Sequence, residues 1–161
     1  MKHLKKYKIF ESNTIDSSLV DDIIYSKKNI DDIDNDLDYA IETGKISANT
    51  KVNNTSLLIY VLFHKPKINI LPIIERLSKD EIDFIDEDGD TALHIVTYNN
   101  DENLDLILEF NPDWNIENSV GDTYLDMLKR NDIKKYEEVI ENYPEKYQEY
   151  IKWKKIKEFN L

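Results

Sequence analysis

Asp86-Glu87-Asp88-Gly89 is the stretch of this chain that comes nearest to a metal-binding pattern. A calcium loop needs oxygen ligands at alternating positions around an invariant glycine, and a bidentate glutamate six residues after it. With Gly89 in that place, Asp86 and Asp88 fall correctly. Phe84, however, takes the first ligand position and Ile95 the place of the glutamate. Two essential ligands are missing, so no calcium site is expected. The acidic run Asp31-Asp32-Ile33-Asp34-Asn35-Asp36 has no glycine to bend it around an ion and reads as a solvated face or helix start. His3, His64 and His94 are far apart in sequence, and no pair has the spacing of a helical zinc site. There is no cysteine, which removes thiolate ligands, thiol nucleophiles and disulfides together. A nucleophile elbow, a phosphate-cradling glycine loop and a dinucleotide fingerprint are all lacking. The reading is a protein that is not an enzyme and has neither metal nor cofactor.

Charge narrows the partners. The net charge of −12 is uneven: residues 1–9 carry +4 and residues 144–161 carry +2, which leaves −18 between them. A body so negative repels phosphate backbones, so no nucleic-acid partner is expected. It would attract a basic protein surface and speed the encounter. The longest apolar run, Leu57–Phe63, has seven residues, far short of the roughly 20 a membrane-crossing helix requires. The lysine-rich start Met1–Phe10 lacks the apolar core of a signal peptide. These features point to a cytoplasmic protein, monomeric when free, with no membrane partner.

The elements that would carry such a surface emerge from self-comparison. Lys45–Val61, Glu81–Thr97 and Asp113–Lys129 align without gaps, placing Thr55, Thr91 and Thr123 in one column at spacings of 36 and 32. A period in the low thirties suits a unit of two helices and a turn. Asn53, Gly89 and Gly121 share another column, where a tight turn wants positive φ. Two residues later the threonine can cap the first helix by accepting from its free N–H groups. Apolar residues then recur at helical spacing, as in Leu93, Ile95, Val96 and Leu125, Met127, Leu128. After a polar break (Asn99-Asn100-Asp101 in the second unit) comes the second helix: Ile70–Leu77, Asn103–Phe110 and Ile133–Tyr143 in turn.

Asp86-x-x-Gly89-x-Thr91-Ala92-Leu93-His94 and Leu108-Glu109-Phe110-Asn111-Pro112-Asp113 resemble the signature of the ankyrin-repeat family. The resemblance covers residues 45–143. It implies an all-α solenoid of helix-turn-helix units with short β-turn fingers and capping helices at both ends. The organisation expected is one domain: a basic segment 1–15, a degenerate cap repeat 16–44, repeats at 45–80, 81–112 and 113–143, and a C-terminal helix over 144–161. Within the caps, helices are expected at Ser18–Tyr25, Asp32–Thr43 and Glu145–Phe159. Departures from the family are Asn53 for glycine and Tyr60 for alanine in the first repeat, and Tyr124 and Asp126 for Pro/Ala and His in the third. The resemblance further implies that His94 hydrogen-bonds within the turn network.

By the same resemblance the partner-binding positions are the turn tips and the ends of the first helices. They are Lys51, Val52, Asn54, Leu62 and Phe63 in the first repeat. The second supplies Glu87, Asp88, Asp90, Tyr98 and Asn99, and the third Ser119, Val120, Asp122, Arg130 and Asn131. Glu87, Asp88 and Asp90 would make one tip strongly negative; Leu62, Phe63 and Tyr98 would be apolar anchors. The competing placement for Leu62 and Phe63 is packing under the N-terminal helices. The function expected is protein binding without chemistry: a stoichiometric inhibitor occluding a basic target, in the manner of an immunity protein or antitoxin. The alternatives are a viral or pathogen effector that captures a host regulator, acting in the host cytoplasm, and, more remotely, a small-ligand or metal-binding regulator.

Overall fold

The computed structural model describes residues 17–99 and 102–159. The basic segment 1–15, with His3, and Asn100-Asp101 of the polar break lie outside the described residues. The chain is mainly helical. Helices α1 (Ser17–Ile24) and α2 (Ile30–Glu42) lead into a two-residue hairpin, β1 (Lys51–Val52) and β2 (Thr55–Ser56). Then follow α3 (Leu57–His64), α4 (Leu71–Ile74), α5 (Lys79–Ile82), α6 (Ala92–Asn99), α7 (Leu104–Glu109), α8 (Tyr124–Asn131), α9 (Ile133–Asn142) and α10 (Pro144–Phe159).

Helices α3, α6 and α8 form the spine. Each has eight residues, they start 35 and 32 residues apart, and α6 packs against both of the others. Leu57 to Leu62 of α3 and Ala92 to Thr97 of α6 are buried throughout, because these helices are covered on nearly every side. An all-round apolar helix is stable in water only when enclosed in this way. α1 and α2 pack together at one end, with α2 also touching α4; α9 and α10 lie at the other.

Local chemistry accounts for the helix starts. Asn29 Oδ1 accepts from Asp32 N at 2.9 Å and begins α2. Thr123 and Asp126 form a reciprocal capping box at the start of α8. At α3 the expected threonine is displaced. Asn53 and Asn54 both have positive φ (50° and 64°), so the turn takes two left-handed residues instead of one. Thr55 is then drawn into the hairpin opposite Val52, and Ser56 caps the helix, its Oγ accepting from Ile59 N at 3.3 Å. The first repeat therefore runs one residue out of step with the gapless alignment.

The second helix of the first repeat is also shorter than Ile70–Leu77. It ends at Ile74, and a new turn of helix, α5, begins at Lys79. Ser78 adopts an extended conformation (φ −72°, ψ 165°) and its N–H donates to Glu81 Oε2 at 2.7 Å. This Ser-x-x-Glu start competes with continuation of α4, and α5 straddles the expected boundary between residues 80 and 81.

Tyr124, the first residue of α8, is buried against Trp114 in an edge-on pair 5.4 Å between centroids. Its hydroxyl is buried without a hydrogen-bond partner. A buried, unsatisfied hydroxyl costs about 1–3 kcal/mol, so Tyr124→Phe should raise stability by about 1 kcal/mol in urea denaturation. A loss of stability of that size would show that the hydroxyl is satisfied after all.

Candidate protein-binding surface

The turns of the second and third repeats are built alike. Asp86 Oδ1 accepts from the backbone N–H groups of Asp88 (3.0 Å) and Asp90 (2.8 Å). Asn118 Oδ1 accepts from Val120 (3.2 Å) and Asp122 (3.1 Å). Each side chain thus folds its own loop around the glycine that follows. The loops are also stitched to each other: Ser119 N donates to Asp88 O at 3.1 Å, and Asn118 Nδ2 donates to Asp90 Oδ1 at 3.0 Å. Asp86 is thereby occupied with backbone donors.

This stitching sorts the expected contact residues. Glu87 and Asp88 project from the second tip and are exposed, as are Ser119 and Val120 at the third and Lys51 and Asn54 at the first. Asn54 Nδ2 reaches Glu87 Oε1 at 3.5 Å, and Lys51 lies over the Phe84 ring, 4.7 Å from its centroid. Asp90 is half-buried and held by Asn118, so it is not a free acid of the tip. Asp122 is half-buried too and pairs with Arg130 at 2.7 Å. Val52 is buried in the core by the hairpin and cannot touch a partner.

The one-residue shift in α3 decides the fate of the helix-end residues. Aligned by their observed starts, the seventh residues of α3, α6 and α8 are Phe63, Tyr98 and Arg130. Phe63 is 58% exposed and Tyr98 74%, and the Arg130 side chain is 59% exposed. Leu62, one position earlier, is fully buried, so it belongs to the core and not to the surface. The eighth residues are His64, Asn99 and Asn131. Asn99 serves the fold itself. Its Nδ2 donates to Leu62 O at 3.2 Å, satisfying a carbonyl that the end of α3 would leave open. Asn131 is exposed. Of the expected contact residues, those left exposed are the row Phe63–Tyr98–Arg130 with Asn131, and on the tips Lys51, Asn54, Glu87, Asp88, Ser119 and Val120.

Beneath it lies His94, almost wholly buried. Thr91 N donates to His94 Nδ1 at 3.1 Å, which makes Nδ1 the acceptor. The remaining ring proton sits on Nε2 and is donated to Asp122 O of the next repeat at 3.1 Å. Only the neutral ring can make both bonds. Burial pushes its pKa below the ordinary 6.5, against the opposing pull of the Asp122 carbonyl and the carboxylates of Asp90, Asp86 and Asp122. His64 is lowered by burial as well, against Asp21 and reinforced by Lys65. Below pH 6.5 the unfolded chain therefore takes up protons that the folded chain refuses. Stability should be level above about pH 7 and fall from about 6.5 towards 5, a window set above the carboxylates. Melting curves at pH 7.5 and 5.0 would measure it, and His94→Gln should shrink the difference. An undiminished difference in that variant would remove His94 as the cause.

The third repeat replaces this histidine by Asp126, and the structure shows why. No further turn follows; α10 does. Lys154 of α10 pairs with Asp126, and Tyr150 Oη lies 3.1 Å from Thr123 Oγ1 and 3.0 Å from Lys154 Nζ. Burial disfavours both charges, but their contact and the Thr123 bonds outweigh it, holding the Asp126 carboxyl below its ordinary range and the Lys154 ammonium above. The same column thus binds the next turn through a histidine and the terminal helix through an aspartate. The sequence carried the signal in the departure at position 126 and in a lysine four residues after Tyr150, but nothing local joins the two.

Among the described residues no group of three or more His, Asp or Glu is placed to hold a metal ion. Among them, too, no helix is long and apolar enough to cross a membrane. Comparisons of the chain with family models, with curated proteins and with solved structures find no match.

Proposed function

We propose that this chain is a divergent ankyrin-type solenoid that binds a basic protein partner and acts by occupying its surface, as a stoichiometric inhibitor does. The observation that carries the reading is the exposed row Phe63–Tyr98–Arg130, repeated at one position of three successive packed helices. Two large aromatic rings left in water on a rigid scaffold are costly unless covered, and aromatic residues and arginine are the usual anchors of protein interfaces. Glu87 and Asp88 on the neighbouring tip, in a body carrying −18, favour a cationic target. The ankyrin-type reading rests on the repeated eight-residue helices, the positive-φ turns and the His94 bridge between successive turns.

A photo-crosslinking residue at position 98 of the full chain, used in cells of its source, should trap one basic protein. Against that partner Tyr98→Ala should mainly speed dissociation, by about thirtyfold for a loss of about 2 kcal/mol. Glu87→Gln with Asp88→Asn should instead slow association several-fold, an effect that fades as salt screens it. Asp90 is left intact in this pair because Asn118 depends on it. Equal association and dissociation rates for the unsubstituted chain, Tyr98→Ala and the Glu87→Gln/Asp88→Asn pair would sink the proposal.

A further inference from the structure

Beside Phe63 the side chains of α1 and α3 join in one connected cluster. Tyr60 Oη donates to Asp21 Oδ1 and lies 3.3 Å from the hydroxyl of Tyr25, the residue that follows α1. Tyr25 Oη in turn lies 3.2 Å from His64 Nδ1. Tyr60 is buried, but Tyr25 and Phe63 are 59% and 58% exposed. Both exposed rings stand edge-on to the His64 ring, at 5.3 Å and 67° for Tyr25 and at 5.1 Å and 82° for Phe63. Asp21 is half-buried, and among the described residues no hydrogen bond occupies its Oδ2. Two aromatic rings left in water thus share a small surface with a carboxylate.

The face of an aromatic ring attracts a cation through its quadrupole. Elsewhere in the molecule the chain's own lysines answer that attraction. Lys45 lies over Tyr39, Lys51 over Phe84, Lys129 over Tyr136, Lys154 over Tyr150 and Lys157 over Trp153, each 4.7–5.7 Å from the ring centroid. Among the described residues no cation lies over Tyr25 or Phe63. The local field suits one. Burial lowers the His64 pKa, and of the charged neighbours that reach the ring Asp21 raises it more than Lys65 lowers it. Their net effect at the cluster therefore favours positive charge. A guanidinium can lie flat on a ring while its N–H edge reaches a carboxylate, whereas an ammonium is held more strongly by water. We propose that Tyr25, Phe63 and Asp21 form a subsite for one arginine side chain, supplied by the protein partner. It extends the binding face from the repeats onto α1. That the arginine belongs to a partner rests on the function proposed above; the subsite itself rests on the cluster.

Titrating the full chain with N-acetyl-arginine amide at fixed ionic strength should shift the NMR ring signals of Tyr25 and Phe63 saturably. Tyr39 and Phe84, whose rings lysines of the chain already cover, should move several-fold less. N-acetyl-citrulline amide, which has a similar shape without the charge, should leave Tyr25 and Phe63 in place. N-acetyl-lysine amide should need a several-fold higher concentration for the same shift. Asp21→Asn, which retains an acceptor for Tyr60, and Phe63→Leu, at an exposed position, should each weaken the response at Tyr25 several-fold. Equal shifts from the citrulline or the lysine probe, equal shifts at Tyr39 and Phe84, or a response unchanged by both substitutions overturn the proposal. If the arginine probe binds here while crosslinking at position 98 traps no basic protein, the subsite stands and only the protein-binding reading falls.

Discussion

Gly89→Ala should destabilise the protein by about 3 kcal/mol, whereas Gly121→Ala should cost only about 1 kcal/mol. Both glycines have φ of +81°, so both variants bear the penalty of a left-handed alanine, about 1–2 kcal/mol. Only at position 89 does the new methyl also meet backbone. It would lie 2.6 Å from Ser119 N and 3.0 Å from Asn118 C, whereas nothing stands within 4 Å at Gly121. Relief requires the second and third turns to separate, which strains the Ser119–Asp88 and Asn118–Asp90 bonds; overpacking of this kind costs about 1–3 kcal/mol more. Urea denaturation of the two variants measures the contrast. Equal losses would mean that the turns are not in contact as described.

The second large effect is expected at the C-terminal helix. Tyr150→Ala should cost about 3 kcal/mol, the range for truncating a buried aromatic, and Tyr150→Phe about 1 kcal/mol. Tyr150 is the buried residue of α10, flanked by the half-buried Tyr147, Ile151 and Trp153 that pack against the core. The ring covers the end of the stack; the hydroxyl adds the contacts to Thr123 and Lys154. Because α10 packs on α9 and Tyr150 reaches Thr123 at the start of α8, the loss should appear as a lowered melting temperature of the whole protein. An unchanged melt for Tyr150→Ala would make α10 a dispensable extension. Ile156 and Phe159, exposed in its last turn, should by contrast tolerate alanine with little change.

Much of this fold was legible because its units are local. The turn glycines, the capping residues and the 3.6-residue apolar period act over a few residues each, so α2, α7, α9 and α10 lie within two residues of where the sequence places them. The chain's lack of cysteine and its charge distribution are likewise properties of composition alone. Other features answer to partners distant in sequence. Whether Leu62 or Phe63 faces water turns on one residue of register, set by two left-handed asparagines in the hairpin. Asp90 and Asn99 look like surface groups until Asn118, 28 residues away, and Leu62, 37 residues away, claim them. Asp126 looks like a lost histidine until Lys154 arrives from α10. Hydrogen-bonding side chains on turns are ambiguous in sequence because water satisfies them as well as protein does. Tertiary packing decides the matter by removing the water, after which each buried donor or acceptor must find the neighbour that the stack brings to it.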